Sequence, residues 1–138
     1  EGKDHWVDRG VAAAIAGNWD FSASCFVDRG GDDVYEAPPL SLGCAAITSF
    51  AAFFDLGGVD RYASSGARNF GRAGHAEDVD RKTRSVGVFV DFGGSADFYP
   101  DLLGEDVPRN GLVKPLEIHC TGNSQRSGMA GRGLFIDR

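Results

Sequence analysis

Three groups of residues in this chain have types and spacings that could do chemistry. The first is a set of aspartate pairs flanking Gly-Gly: Asp28/Asp33, Asp55/Asp60 and Asp91/Asp97. Stacked a strand spacing apart, about 4.8 Å, such carboxylates repel and need compensation. One answer is Ca2+, which takes Asp oxygens and turn carbonyls. The other is that each carboxylate accepts hydrogen bonds from the Gly-Gly amides of its own turn. Arg29 and Arg61 offer neutralisation across neighbouring copies. The second group is Cys120 with Arg126 and Ser127. A loop of amides and a guanidinium would cradle an oxyanion and lower the thiol pKa, so that the thiolate attacks. The third group is the aromatic series Trp6, Phe26, Phe53, Phe89 and Phe135. Left exposed, it is a surface for a sugar, a protein partner or another copy; covered, it is core. His5, His75 and His119 show no metal spacing. No Gly-x-Ser-x-Gly elbow, Walker loop or dinucleotide fingerprint is present.

The aspartates belong to a recurring phrase: Phe26-Val-Asp28-Arg-Gly-Gly-Asp-Asp33-Val-Tyr35, Phe53-Phe-Asp55-Leu-Gly-Gly-Val-Asp60-Arg-Tyr62, and Phe89-Val-Asp91-Phe-Gly-Gly-Ser-Ala-Asp97-Phe-Tyr99. Partial copies stand at Trp6-Val-Asp8-Arg-Gly10 and Phe135-Ile-Asp137-Arg138. From Asp8, the intervals between first aspartates are 20, 27, 36 and 46 residues. Uneven intervals predict a fixed corner with insertions in the connections. Two-residue alternation puts Cys25/Val27, Ala52/Phe54, Val88/Val90 and Leu134/Ile136 on one face, and the aromatics and aspartates on the other. The wholly apolar first face is expected to point into the core. Gly-Gly supplies a turn that needs positive φ or close backbone approach, and a short strand ending in Tyr follows.

The chain has 138 residues, 20 of them Gly, and its commonest aromatic is Phe. That predicts one turn-rich β domain, long enough for a core. The net charge is -6, and no basic patch suggests nucleic acid. Aspartate outnumbers glutamate 15 to 5, a bias toward turns and hard-cation ligation over helix. No apolar run approaches the roughly 20 residues of a membrane span. Three cysteines, Cys25, Cys44 and Cys120, do not make a disulfide framework, and Cys25 is expected to be a small buried hydrophobe. Pro38-Pro39 ends a strand, and the run Leu40–Phe54 reads as buried strands, with a buried helix as the alternative that periodicity leaves open. Two insertions are expected on the surface, at about 63–85 and about 100–133, the second with a strand candidate at Leu116–Cys120. The chain opens on Glu1 and stops inside a copy of the phrase, so we expect a piece of a longer protein.

Two resemblances attach to these motifs. Asp-x-Gly-Gly-x-Asp-x-Tyr, as at Asp28–Tyr35 and Asp55–Tyr62, resembles the repeats of a type of secreted bacterial protein, and its Gly-Gly-x-Asp part resembles a fragment of the calcium-binding RTX nonapeptide. This implies an extracellular β-solenoid, with no implied activity. Cys120-Thr-Gly-Asn-Ser-Gln-Arg126-Ser127-Gly-Met-Ala130 resembles the phosphate loop of low-molecular-weight tyrosine phosphatases and arsenate reductases. There Cys120 would be the nucleophile and Arg126 the oxyanion clamp. The sequence departs from that family: only 12 residues follow Arg126, no Asp-Pro acid is present, and the second loop cysteine is Gln125.

The expected fold is therefore all-β: a short right-handed parallel β-solenoid with two surface insertions, against a hairpin array of propeller or sandwich type. The expected function is a non-catalytic structural or binding module of a secreted or cell-surface protein, stiffened by Ca2+ at Asp28, Asp33, Asp55, Asp60, Asp91 and Asp97. Protein partners or self-association are expected; nucleic acid and a transmembrane segment are not. The alternatives are thiolate chemistry at Cys120 and a self-assembling solenoid.

Overall fold

The computed structural model describes residues 2–8, 15–64, 70–74, 84–92, 97–98, 108–109 and 131–137. Every regular element in them is a strand: β1 His5–Val7, β2 Asn18–Trp19, β3 Ala23–Asp28, β4 Val34–Ala37, β5 Ala45–Ala46, β6 Phe50–Asp55, β7 Arg61–Ser64, β8 Ser85–Asp91, β9 Asp97–Phe98, β10 Pro108–Arg109 and β11 Gly131–Asp137. They form three sheets, ordered β3-β6-β8-β11, β1-β4-β7-β9-β10 and β2-β5. All pairing is parallel except β9 with β10. The hairpin alternative is excluded for the first two phrases, because each sends its two strands into different sheets.

The repeated phrase sets the register. Phe26, Phe53, Phe89 and Phe135 are successive partners, as are Val27, Phe54, Val90 and Ile136, and Asp28, Asp55, Asp91 and Asp137. On the second sheet Tyr35 pairs with Tyr62. Trp6 pairs with Tyr35 there, not with Phe26. The first partial copy is thus out of frame: Trp6 occupies the tyrosine position, and Asp8 is not a counterpart of Asp28. The sequence signal is Asp4-x-Trp6, which matches Asp33-x-Tyr35 and Asp60-x-Tyr62.

The aromatic face points inward, which reverses the expectation at Val27 and Cys25. Phe53 and Phe89 are fully buried, whereas Val27 is 55% exposed and Cys25 is exposed; Ala52 and Val90, on the face expected inside, are buried as well. Rings carry far more apolar area than Val or Ala, and their burial dominates. The aspartates sharing their face then travel inside, which is tolerable only because hydrogen bonds meet them there. Parallel register stacks the rings: Phe26 on Phe53 at 5.2 Å, Phe53 on Phe89 at 5.1 Å, and Tyr35 on Tyr62 at 5.1 Å, all within 4° of coplanar. The two ring columns meet edge to face, Trp6 on Phe26 at 5.1 Å, Tyr35 on Phe53 at 5.2 Å and Tyr62 on Phe89 at 5.2 Å. Leu42 and Phe70 complete this core. Leu40, Cys44, Ala46 and Ile47 form a second, smaller cluster.

Part of the first expected insertion is core, not surface. Phe70, the one aromatic in a polar stretch, is buried and packs edge-on to Phe89 at 5.4 Å, and Ala73 bridges in parallel to Ala45. Most of the second expected insertion, including Leu116–Cys120, lies outside the described residues.

Three kinds of corner connect the strands, and only one is made by glycine pairs. At Gly30-Gly31 and Gly57-Gly58 the backbone of one copy lies directly on the next, with Gly31 N–H donating to the Gly57 carbonyl at 2.8 Å. A Cβ on Gly58, whose φ is 149°, would lie 1.5 Å from the Gly31 carbonyl oxygen. The other two corners place non-glycine residues in the left-handed region: Ile15-Ala16 and Leu42, then Asp20-Phe21 and Ile47-Thr48. These corners stack on one another through Leu42 N–H to Ile15 O at 3.0 Å and Phe21 N–H to Ile47 O at 3.1 Å.

Two pairs of substitutions test this packing by chemical denaturation. Phe53→Ala is expected to remove about 3–5 kcal/mol of stability and Val27→Ala less than about 1 kcal/mol; the reverse order would restore the aliphatic face to the interior. Gly58→Ala is expected to lose about 3 kcal/mol and Gly57→Ala clearly less, because among the described residues a Cβ on Gly57 meets nothing nearer than the Phe92 carbonyl oxygen at 3.5 Å.

Candidate metal centre: a column of buried aspartates

The Gly-Gly corner places two files of aspartate side by side. Asp28, Asp55 and Asp91 end their strands in register. Asp33 and Asp60 stand immediately before β4 and β7, Asp97 opens β9, and Asp4 stands immediately before β1. Asp28, Asp33, Asp55, Asp60, Asp91 and Asp97 are all buried, Asp28 the least at 8% exposure. Asp4 is exposed.

The hydrogen bonds repeat with the phrase. In the first file, Gly30 N–H donates to Asp28 Oδ1 at 3.1 Å and Gly57 N–H to Asp55 Oδ1 at 3.3 Å. These are the own-turn bonds anticipated from sequence. The Tyr35 hydroxyl donates to Asp55 Oδ2 at 2.8 Å and lies 3.2 Å from Asp28 Oδ2, while the Tyr62 hydroxyl lies 3.1 Å from Asp55 Oδ2. Burial first, then Asp55, pushes the Tyr35 phenol well above its usual range. The second file is bonded differently. Each carboxylate accepts from the backbone one copy earlier: Asp4 N–H to Asp33 Oδ1 at 2.6 Å, Asp33 N–H to Asp60 Oδ1 at 2.7 Å, and Asp60 N–H to Asp97 Oδ1 at 2.7 Å.

The two files approach closely enough to share a ligand. Oxygens of Asp4, Asp28 and Asp33 lie within 4.8 Å of one another, as do those of Asp33, Asp55 and Asp60, and those of Asp60, Asp91 and Asp97. Ca2+ holds oxygens at about 2.3–2.6 Å, so ligand atoms across one ion stand up to about 5 Å apart. The triples fit that sphere. The second oxygens of Asp33, Asp60 and Asp97 are buried and have no hydrogen-bond partner. A buried carboxylate oxygen without a partner is unstable unless a proton or a cation meets it. Accordingly burial, reinforced by the neighbouring carboxylates, pushes Asp33 and Asp97 up, and Asp60 up to about 7.

All six aspartates singled out in the sequence are therefore brought together, and Asp4 joins them. It was missed because Trp6 was read in the wrong frame. Arg29 and Arg61 are exposed, on the outside of the stack. The described ion pairs Lys3–Asp32 at 3.1 Å and His5–Glu36 at 3.0 Å also lie at the surface. Of the aromatic series, Phe53 and Phe89 offer no exposed face, Phe26 is half-buried and Trp6 is 41% exposed; of Phe135 only the backbone register is described. Cys120, Arg126 and Ser127 lie outside the described residues, as do His75 and His119. No helix among the described residues is long and apolar enough to cross a membrane. Compared with known proteins, the chain matches no family model, no curated protein and no solved structure.

The raised carboxyls fix the sign of a pH dependence. A group whose folded pKa exceeds its unfolded value stabilises fully below the unfolded value, about 4, and that contribution is lost as pH rises through the folded value, which is about 7 for Asp60. In the presence of a chelator, the melting temperature is expected to fall by about 5 °C or more between pH 5 and pH 8. Asp60→Asn should flatten the curve. A chelated protein that gains stability over that range would contradict the buried, unmet oxygens.

Proposed function

We propose that this chain is a non-catalytic structural or binding module: a short right-handed β-solenoid of a secreted or cell-surface protein, stiffened by Ca2+. The observation that carries this reading is the repetition of one carboxylate triple along the stack, with Asp33 and Asp60 each shared between two triples. A catalytic site needs one constellation of unlike groups placed around a reacting atom. Here like groups recur at every level, and the shared carboxylates tie one level to the next. Such a column suits load-bearing and rigidity more than turnover. In the extracellular setting proposed here, such a site would work at an affinity of about 10⁻⁴–10⁻³ M, that of extracellular calcium modules. A protein partner or a second copy of the chain would meet the module at the exposed apolar residues Trp19, Phe21 and Val27.

Calcium removal tests this. Millimolar Ca2+ is expected to raise the melting temperature by about 5–10 °C over the chelated protein, and Mg2+ by clearly less. Asp55→Asn and Asp60→Asn should each shrink the calcium-dependent part. Equal melting with and without chelator would remove calcium from the proposal.

A further inference from the structure

The three carboxylate triples are chemically alike but not equally placed. Asp33, Asp55 and Asp60 are all at most 1% exposed, and so are Asp60, Asp91 and Asp97. Water barely reaches the carboxylates that would hold an ion in either triple. The triple at the amino-terminal end is different. Its members Asp28 and Asp33 are buried, but Asp4 is exposed and immediately precedes the short edge strand β1, all of whose residues are exposed.

That strand is an edge held by few anchors. Among the described residues its polar ties include the ladder to β4, Val34 N–H to Asp4 O at 2.9 Å, Asp8 N–H to Glu36 O at 2.9 Å and Asp4 N–H to Asp33 Oδ1 at 2.6 Å, with the surface pairs Lys3–Asp32 and His5–Glu36. Exposed pairs of this kind contribute little. The apolar tie is Trp6 against Phe26, with Trp6 still 41% exposed. Beside these, Asp33 Oδ2 is buried with no hydrogen-bond partner, in the same triple as Asp4. A cation there would draw ligands from β1 and from the rest of the stack together, and would couple its own binding to docking of the strand.

Resting on the calcium reading above, we infer that the column holds two classes of cation site. The two inner triples retain their ions. The outer triple, Asp4 with Asp28 and Asp33, exchanges a hard divalent cation with solvent and clamps β1 onto β4 when filled. The three described triples comprise seven carboxylates when ionised, against six positive charges on three divalent ions. Sharing Asp33 and Asp60 therefore brings the column close to neutrality, which three independent sets of three carboxylates would not.

The test counts bound metal on the whole chain, loaded in millimolar calcium, by elemental mass spectrometry. A brief chelator pulse is expected to strip about one equivalent and leave the remainder, and Asp4→Asn is expected to bind about one equivalent less than wild type and to lose the fast phase. Asp32→Asn, a change at an exposed neighbour outside the triples, should behave as wild type. Hydrogen exchange supplies a readout that needs no variant: after the pulse, the amides of Asp4 and Asp8, which donate to Asp33 Oδ1 and the Glu36 carbonyl, should exchange at least tenfold faster, while those of Phe50–Asp55 stay protected (a tenfold rate is about 1.4 kcal/mol of opening free energy). Release of all metal in one phase, an unchanged metal count in Asp4→Asn, or Asp4 and Asp8 amides indifferent to the pulse would overturn the two-class assignment while leaving calcium binding intact. A wild-type chain that binds no calcium at all would remove both this inference and the function it rests on.

Discussion

Parallel in-register pairing is the constraint from which the rest of this molecule follows. In such a ladder each side chain stands on its own counterpart one copy away, about 4.8 Å distant. For rings this is favourable, and Phe26, Phe53 and Phe89 stack nearly coplanar. For carboxylates it is unfavourable. Two ionised aspartates at that distance repel by about 3.5 kcal/mol even at an effective dielectric constant of 20. The same backbone geometry thus produces the strongest cohesion of the structure and its most demanding electrostatic problem, on one face of one sheet.

The molecule meets the problem in layers. Glycine amides at the corner and tyrosine hydroxyls take the oxygens of the first file. Backbone N–H groups take one oxygen each from Asp33, Asp60 and Asp97. The other oxygen of each of these three is left for a proton or a cation. A proton and a cation bound there would compete for the same positions.

Much of this was legible in the sequence because the phrase is physically complete. Aromatic, aliphatic, aspartate and Gly-Gly at fixed offsets specify a strand, its register and a corner that admits no side chain. The orientation was not legible. Alternation separates two faces but does not say which is inside, and the presence of Asp28 and Asp55 made the aromatic face look like the wet one. The tyrosines that meet these carboxylates, Tyr35 and Tyr62, lie seven residues downstream on a different sheet, and the partners of Asp33 and Asp60 lie a whole copy away. Such partners cannot be seen along the chain. The corners at Ile15-Ala16 and Ile47-Thr48 were hidden for another reason: nothing in an isoleucine or a threonine announces positive φ, and each stacks on a neighbouring corner that is also left-handed, at Leu42 and at Asp20-Phe21. Phe70 was hidden by its polar surroundings.

The bonds of the second aspartate file all run one way, from the amide of one copy to the carboxylate of the next, Asp4 to Asp33 to Asp60 to Asp97. The stack consequently has a polarity and its two ends are not equivalent. Peeling off the first level strands only an acceptor, which water or an ion can satisfy. Peeling off the level of Asp97 leaves instead the Asp60 amide as an unmatched donor. One end of the file therefore offers an acceptor to whatever meets it, and the other a donor.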